Sequence, residues 1–431
     1  MLYYSTNKQS PKVGFKEATI QGLAPDKGLY FPEKIPLLSK EFLSSFRSWS
    51  KQAIAFQMIK PYVGDAMPPV MLDKIINETL NFDFPLEKVD ENIFTLELFH
   101  GPTLAFKDVG ARFMSRCLGY FVRDIKKQVT VLVATSGDTG GAVANGFYEV
   151  EGVNVVILYP SGKVSNAQEL QLTTNGKNIK AIEVSGTFDD CQQLVKQAFA
   201  DPELTKKLFL TSANSINVAR WLPQQFYYAL ALKQWKENAS PVIAVPSGNF
   251  GNICAGLLAY KAGLPIKHFI AACNANDVVP NYFRNGEYHP KKAVQTLSNA
   301  MDVGNPSNFI RILELFGHQF KSLSDVITSY SISDETTRQV IRQVFKDQNY
   351  LLDPHGAVAY ISLKEYLRDY PNEKGIFLAT AHPVKFHDAI EPLIGKEIEL
   401  PLAIKKLKDK AKVAISMKTD YGELKEILLG N

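Results

Sequence analysis

Leu98-Phe99-His100-Gly101-Pro102-Thr103-Leu104-Ala105-Phe106-Lys107-Asp108 sets one lysine between a strand pattern and a helix pattern. Upstream, residues 93–98 alternate as a strand does, and Gly101-Pro102 breaks the run. Downstream, Val109, Phe113, Cys117, Phe121 and Ile125 recur every four residues, with Met114, Leu118 and Val122 beside them, so a buried helix is expected to begin just after Lys107. Asp108 is the expected N-cap. Lys107 then stands in an apolar setting at a helix entrance, where desolvation disfavours the ammonium and lowers its pKa. A lysine with a free amine can form a Schiff base. The ordinary alternative is a lysine that snorkels or ends a loop.

Two further stretches tip that balance: Val131-Leu132-Val133-Ala134-Thr135-Ser136-Gly137-Asp138-Thr139-Gly140-Gly141 and Val242-Ile243-Ala244-Val245-Pro246-Ser247-Gly248-Asn249-Phe250-Gly251-Asn252. Each runs from an apolar strand through glycines into a helix pattern, which is how backbone amides are gathered around an anion. The second is neither a dinucleotide fingerprint nor a Walker loop, since GxGxxG is missing and no GK[ST] follows. Taken alone, that loop is more commonly a plain glycine-rich strand-to-helix turn.

In this order, the three stretches resemble the pyridoxal-phosphate (PLP) enzymes of fold type II, the tryptophan-synthase-β type, and within them the threonine synthases. Gly22-Leu23-Ala24-Pro25-Asp26-Lys27-Gly28-Leu29-Tyr30-Phe31-Pro32 is similar to the opening signature of the longer microbial and fungal branch. The resemblance implies an α/β fold of two open parallel-sheet domains with an N-terminal helical cap. It implies a cap over 1–91, a large PLP-binding domain over 92–109 and 215–431, and a smaller mobile domain over 110–214.

Residue patterning agrees with several domains. A chain of 431 residues is too long for one compact core. From Asn92 onward strand and helix patterns alternate, as parallel βα units do. Residues 40–59 and 69–80 carry the helix patterns of the cap, a long pattern runs over 218–235, and 274–308 turns polar and irregular, as a functional loop would. The net charge of +4 is the remainder of 48 basic and 44 acidic residues, which provides no footprint for nucleic acid. The basic run at 405–412 reads as a solvated helix face. No apolar run reaches the length of a membrane span. The four cysteines, Cys117, Cys191, Cys254 and Cys273, form no CxxC and suit a reducing compartment, so a cytosolic enzyme is expected, as a monomer or homodimer.

The resemblance distributes roles. Lys107 is the Schiff-base lysine. Gly248, Asn249, Phe250, Gly251 and Asn252 hold the cofactor phosphate, and Thr380, at the end of the apolar run 376–379, meets the pyridine nitrogen. Ser136, Gly137, Asp138 and Thr139 form the loop for the substrate α-carboxylate, where the role of Asp138 stays open. Ser212-Ala213-Asn214-Ser215-Ile216-Asn217-Val218-Ala219-Arg220 narrows the substrate. Asn214 and Ser215 are read as cap residues of a helix on which Asn217 and Arg220 lie one turn apart, a pattern that serves either a dianion or a plain cap with a surface arginine. In threonine synthases this signature grips the substrate phosphate, and Lys163 is a candidate second contact. His382, His387 and Asp388 lack a metal-ligand spacing, so no metal site is expected. The implied activity is conversion of O-phospho-L-homoserine and water to L-threonine and phosphate. A phospholyase giving 2-oxobutyrate and a catalytically silent relative are the alternatives.

Overall fold

The computed structural model describes residues 1–123 and 128–430; Ile125, the last position of the helix pattern after Lys107, lies outside them. Two sheets organise the chain. The larger has the order Ile327–Ser331, His268–Cys273, Val242–Pro246, Gly375–Ala379, Ile93–Glu97, Leu86–Lys88. Its strands are parallel except for the edge strand Leu86–Lys88, which is antiparallel to Ile93–Glu97. The smaller sheet is parallel throughout: Ile415–Lys418, Ile179–Ser185, Val153–Pro160, Val129–Ala134, Phe209–Thr211.

The central strands Val129–Ala134, Val242–Pro246 and Gly375–Ala379 are buried on both faces, which is why they read as unbroken apolar runs. Side chains alternate across a strand, and the cores record that alternation. Ile243 and Val245 join one core while Val242 and Ala244 join another, and Ile376 and Leu378 divide from Phe377 and Ala379 in the same way. In the smaller sheet Val131 and Val133 belong to the first core, Leu132 and Ala134 to a third. One face of each sheet therefore shares a single core. The helix Lys107–Val122 runs through it, burying Val109, Phe113, Cys117 and Phe121 as its four-residue spacing requires.

Four expectations are corrected. The C-terminal strand Ile415–Lys418 pairs with Ile179–Ser185, so the chain end assigned to the large domain belongs to the smaller sheet. The strand Leu86–Lys88 joins the larger sheet, inside the span read as cap. The cap is not purely helical: Val13–Gly14, Leu2–Ser5 and Tyr30–Pro32 form a small antiparallel sheet beside helices Lys51–Val63 and Pro69–Thr79. The long pattern over 218–235 divides at Pro223 into Val218–Trp221, a 3-10 turn Leu222–Gln225 and Phe226–Gln234, because proline has no N–H for the helical ladder. All four cysteines are buried and unpaired.

Candidate active site

Ligands in open parallel sheets collect beyond the carboxyl ends of the strands, and here one cleft of about 790 Å³ opens at the ends of both sheets. Lys107 reaches it where the loop after Ile93–Glu97 enters the helix Lys107–Val122. That loop is stitched to the end of Gly375–Ala379: the Phe106 amide donates to the Thr380 carbonyl at 2.9 Å and the His382 amide to the Leu104 carbonyl at 3.0 Å. These bonds bring Lys107 and Thr380, 273 positions apart in sequence (380 − 107), to one wall.

Asp108 is not the N-cap. The helix starts at Lys107 with Phe106 in the cap position, and the Asp108 carboxylate turns back to accept from the Thr103 amide and hydroxyl, closing the turn that carries Lys107. Burial lowers the pKa of the Lys107 amine, as expected, but the surroundings are not simply apolar. Asp138 lies 3.6 Å from Lys107 Nζ.

The 136–140 loop follows strand Val129–Ala134, and Thr135 Oγ1 ties it down by accepting from the amides of Gly137 and Gly140. Gly137 has φ 130°, and a Cβ there would stand 2.4 Å from the Gln168 side chain, so only glycine fits. Ser136 and Thr139 line the cleft at the N-terminus of helix Asp138–Phe147, where an anion is favoured. The Asp138 carboxylate is itself occupied. It accepts from Gln168 Nε2 at 2.9 Å and pairs with Lys385 Nζ at 2.7 Å. Burial pushes its pKa up, but Lys385 and Lys107 together hold it well below the usual carboxylate range.

Gly248 to Asn252, in the 247–252 loop, line the same cleft. Phe250 adopts the left-handed conformation and caps helix Gly251–Lys261. Asn252 Oδ1 accepts from the Tyr228 hydroxyl at 3.0 Å, while its buried Nδ2 has no partner. A Cβ on Gly248 would meet the Met301 backbone at 2.6 Å, and one on Gly251 would press on Ser215 and Asn308 at 3.3 Å. An amide-rich helix entrance kept bare of side chains, an unpartnered amide and a lysine of lowered pKa lining the same cleft together fit pyridoxal phosphate.

Asn214, Ser215 and Arg220 also line the cleft. Arg220 is 2% exposed, with Nη1 donating to the Ala213 carbonyl, and burial lowers its pKa to about 10. Its Nε and Asn214 Oδ1 are buried without partners. A buried cation and an unpartnered carbonyl beside a cleft await a polar ligand. Asn217, rather than Asn214 or Ser215, caps Val218–Trp221; its side chain accepts from the Ala219 amide and donates to the Thr19 and Ser212 carbonyls. It is fully buried and is not among the residues lining the cleft. Lys163 is exposed on a turn and does not line the cleft either, so in this structure it is the solvated lysine of an ordinary turn.

Three residues of the site were not singled out from sequence. Lys385, two positions beyond Pro383, is 0% exposed. His355 lines the cleft; its Nδ1 bonds Asp353 at 2.6 Å and its Nε2 accepts from the Ala300 amide at 3.2 Å. Arg311 spreads its guanidinium over the carbonyls of Tyr30, Ser215 and Ile216 and over Asn308 Oδ1, and so fixes the 214–216 segment. A lysine set between Val384 and Phe386 was the available signal for the first. For the other two, only the folded chain brings the partners together.

Residues 80–380 match the family described as pyridoxal-phosphate dependent enzyme. Residues 2–80 match threonine synthase N terminus, and residues 356–428 match threonine synthase, C-terminal. The fold and the cleft are those of a pyridoxal-phosphate-dependent enzyme of fold type II. A threonine synthase of Haemophilus influenzae is 44% identical over 431 residues, covering 100% of both chains. The threonine synthase structure from Escherichia coli superposes with TM-score 0.94 at 41% identity over 100% of both chains, and a PLP-bound threonine synthase from Brucella melitensis with TM-score 0.92 at 34% identity over 99% of this chain and 98% of that one. The chain belongs to the threonine synthase family.

Proposed function

We propose how this cleft carries out the threonine synthase reaction, in which O-phospho-L-homoserine and water give L-threonine and phosphate. One observation supports the assignment of roles above the rest: Lys107, the bare 247–252 loop, Thr380 and the buried Arg220 line one cleft at the carboxyl ends of both sheets.

Lys107, the amides of 248–252 and Thr380 would hold pyridoxal phosphate, which when bound supplies the electron sink that lets protons leave the substrate's α- and β-carbons. Ser136 and Thr139 receive the substrate carboxylate at the helix N-terminus. Arg220, Asn214 and Ser215 bind the substrate phosphate and stabilise the dianion as its bond to the γ-carbon breaks. Lys107 Nζ takes the α-proton and returns a proton to that carbon after water has added at the β-carbon. Asn217 serves by holding the start of the Arg220 helix. Arg311 serves by holding the carbonyls of Ser215 and Ile216.

A cytoplasmic location belongs to the same reading, in keeping with four buried, unpaired thiols. Among the described residues no helix is long and apolar enough to cross a membrane. A monomer or homodimer is proposed, which sedimentation would decide.

The deciding experiment incubates the purified, PLP-loaded protein with O-phospho-L-homoserine and quantifies phosphate, threonine and 2-oxobutyrate together. Phosphate matched by threonine is expected. Phosphate matched by 2-oxobutyrate would move the assignment to a phospholyase.

A further inference from the structure

Lys107 must shed its proton to act as a base, yet its Nζ lies 3.6 Å from the Asp138 carboxylate, a placement that by itself favours the ammonium. A second lysine alters this balance. Lys385 Nζ lies 2.7 Å from Asp138 Oδ1, nearer than Lys107 does, and donates to the Thr103 carbonyl at 2.9 Å. It is 0% exposed and comes from the turn Pro383–Phe386, which packs its ammonium directly against the start of helix Asp138–Phe147. A buried ammonium needs a counter-charge, and the nearest is Asp138.

We propose that Lys385 is a positioning residue for the reaction: by engaging the Asp138 carboxylate it leaves Lys107 to work as the uncharged amine. The inference rests on the role given to Lys107 above. Neutralising Asp138 weakens the attraction that would keep Lys107 protonated, and the Lys385 charge adds its own repulsion. Other groups face the cluster. Arg220 comes from Val218–Trp221, Asp108 from the start of Lys107's own helix and His382 from the strand end beside Lys385. Burial lowers the Lys107 amine most strongly, Asp138 opposes it, and Lys385 and Arg220 add to the fall.

The test titrates Lys107 in the full-length protein freed of cofactor, by following reductive methylation of that residue against pH by mass spectrometry. In Lys385→Gln, which keeps a hydrogen-bond donor but no charge, the midpoint should rise by about one pH unit. In the double variant Lys385→Met/Asp138→Asn it should return to the wild-type midpoint or below, because the charge that held the proton is gone. A merely structural lysine would not be rescued by neutralising its neighbour. An unchanged midpoint in Lys385→Gln, or a double variant as high as Lys385→Gln, overturns the proposal. Should Lys385→Gln fail to fold by circular dichroism, Asp138→Asn is compared with the double variant. The midpoint should be lower in Asp138→Asn, where the Lys385 charge survives, and equal midpoints overturn the proposal. Borohydride trapping of reconstituted wild type tells the two readings apart: an adduct on Lys107 upholds the site whatever the midpoints do, and an adduct elsewhere overturns both.

Discussion

A β-carbon built on Gly248 would stand 2.6 Å from the Cα of Met301. The obstacle is backbone, which no rotamer change can clear, and it belongs to the 3-10 turn Asn299–Met301 that walls the 247–252 loop. Gly248→Ala should therefore displace the loop at a cost on the order of 1–3 kcal/mol. Cofactor affinity should fall by roughly tenfold or more, read by absorbance titration of PLP into the cofactor-free protein. Undiminished affinity would mean that the loop does not hold the cofactor phosphate.

Arg220 and the cofactor should separate on mutation. Arg220→Ala is expected to lower kcat/KM for O-phospho-L-homoserine by about 2–5 kcal/mol, since it removes one side of a desolvated charge pair. PLP affinity should hardly move. Equal losses of both would make Arg220 a structural brace for the carbonyl of Ala213.

Arg311 should govern stability and substrate binding together. Its donors reach the carbonyls of Tyr30, Ser215 and Ile216, joining the cap to the site. Arg311→Met strands those carbonyls, and denaturant melts should show a loss of about 3 kcal/mol or more. Arg311→Lys should rescue little, because one ammonium cannot span a planar fork's partners.

His268 should contribute an acid-side instability. Burial, aided by Lys267, lowers its pKa from 6.5 to about 4. The unfolded chain then binds a proton between those values that the folded chain does not, so stability is present above about pH 6.5 and is lost as pH falls towards about 4. His268→Gln should remove that part of the slope, read as a difference between wild-type and variant melts across the window. His382, also lowered to about 4 by burial first, keeps its own share. A difference that does not vary with pH would show that His268 titrates normally.

What the sequence could determine by itself were features carried by local order. Continuous apolar runs ending in glycine loops marked the parallel strands and their carboxyl ends, and four-residue spacing marked the helix of Lys107, because each pattern is dictated by the chain's own periodicity. The glycines at 137, 248 and 251 were legible for the same reason. The tertiary structure decided whatever depends on partners distant in the chain. It returned Ile415–Lys418 to the sheet of Ile179–Ser185, turned Asp108 away from its helix end, and spent Asn217 on the Thr19 and Ser212 carbonyls. It also set Lys385 against Asp138, 247 positions earlier (385 − 138). A buried charge or amide takes whichever counter-group the packing brings within about 3 Å, and no local periodicity encodes that choice.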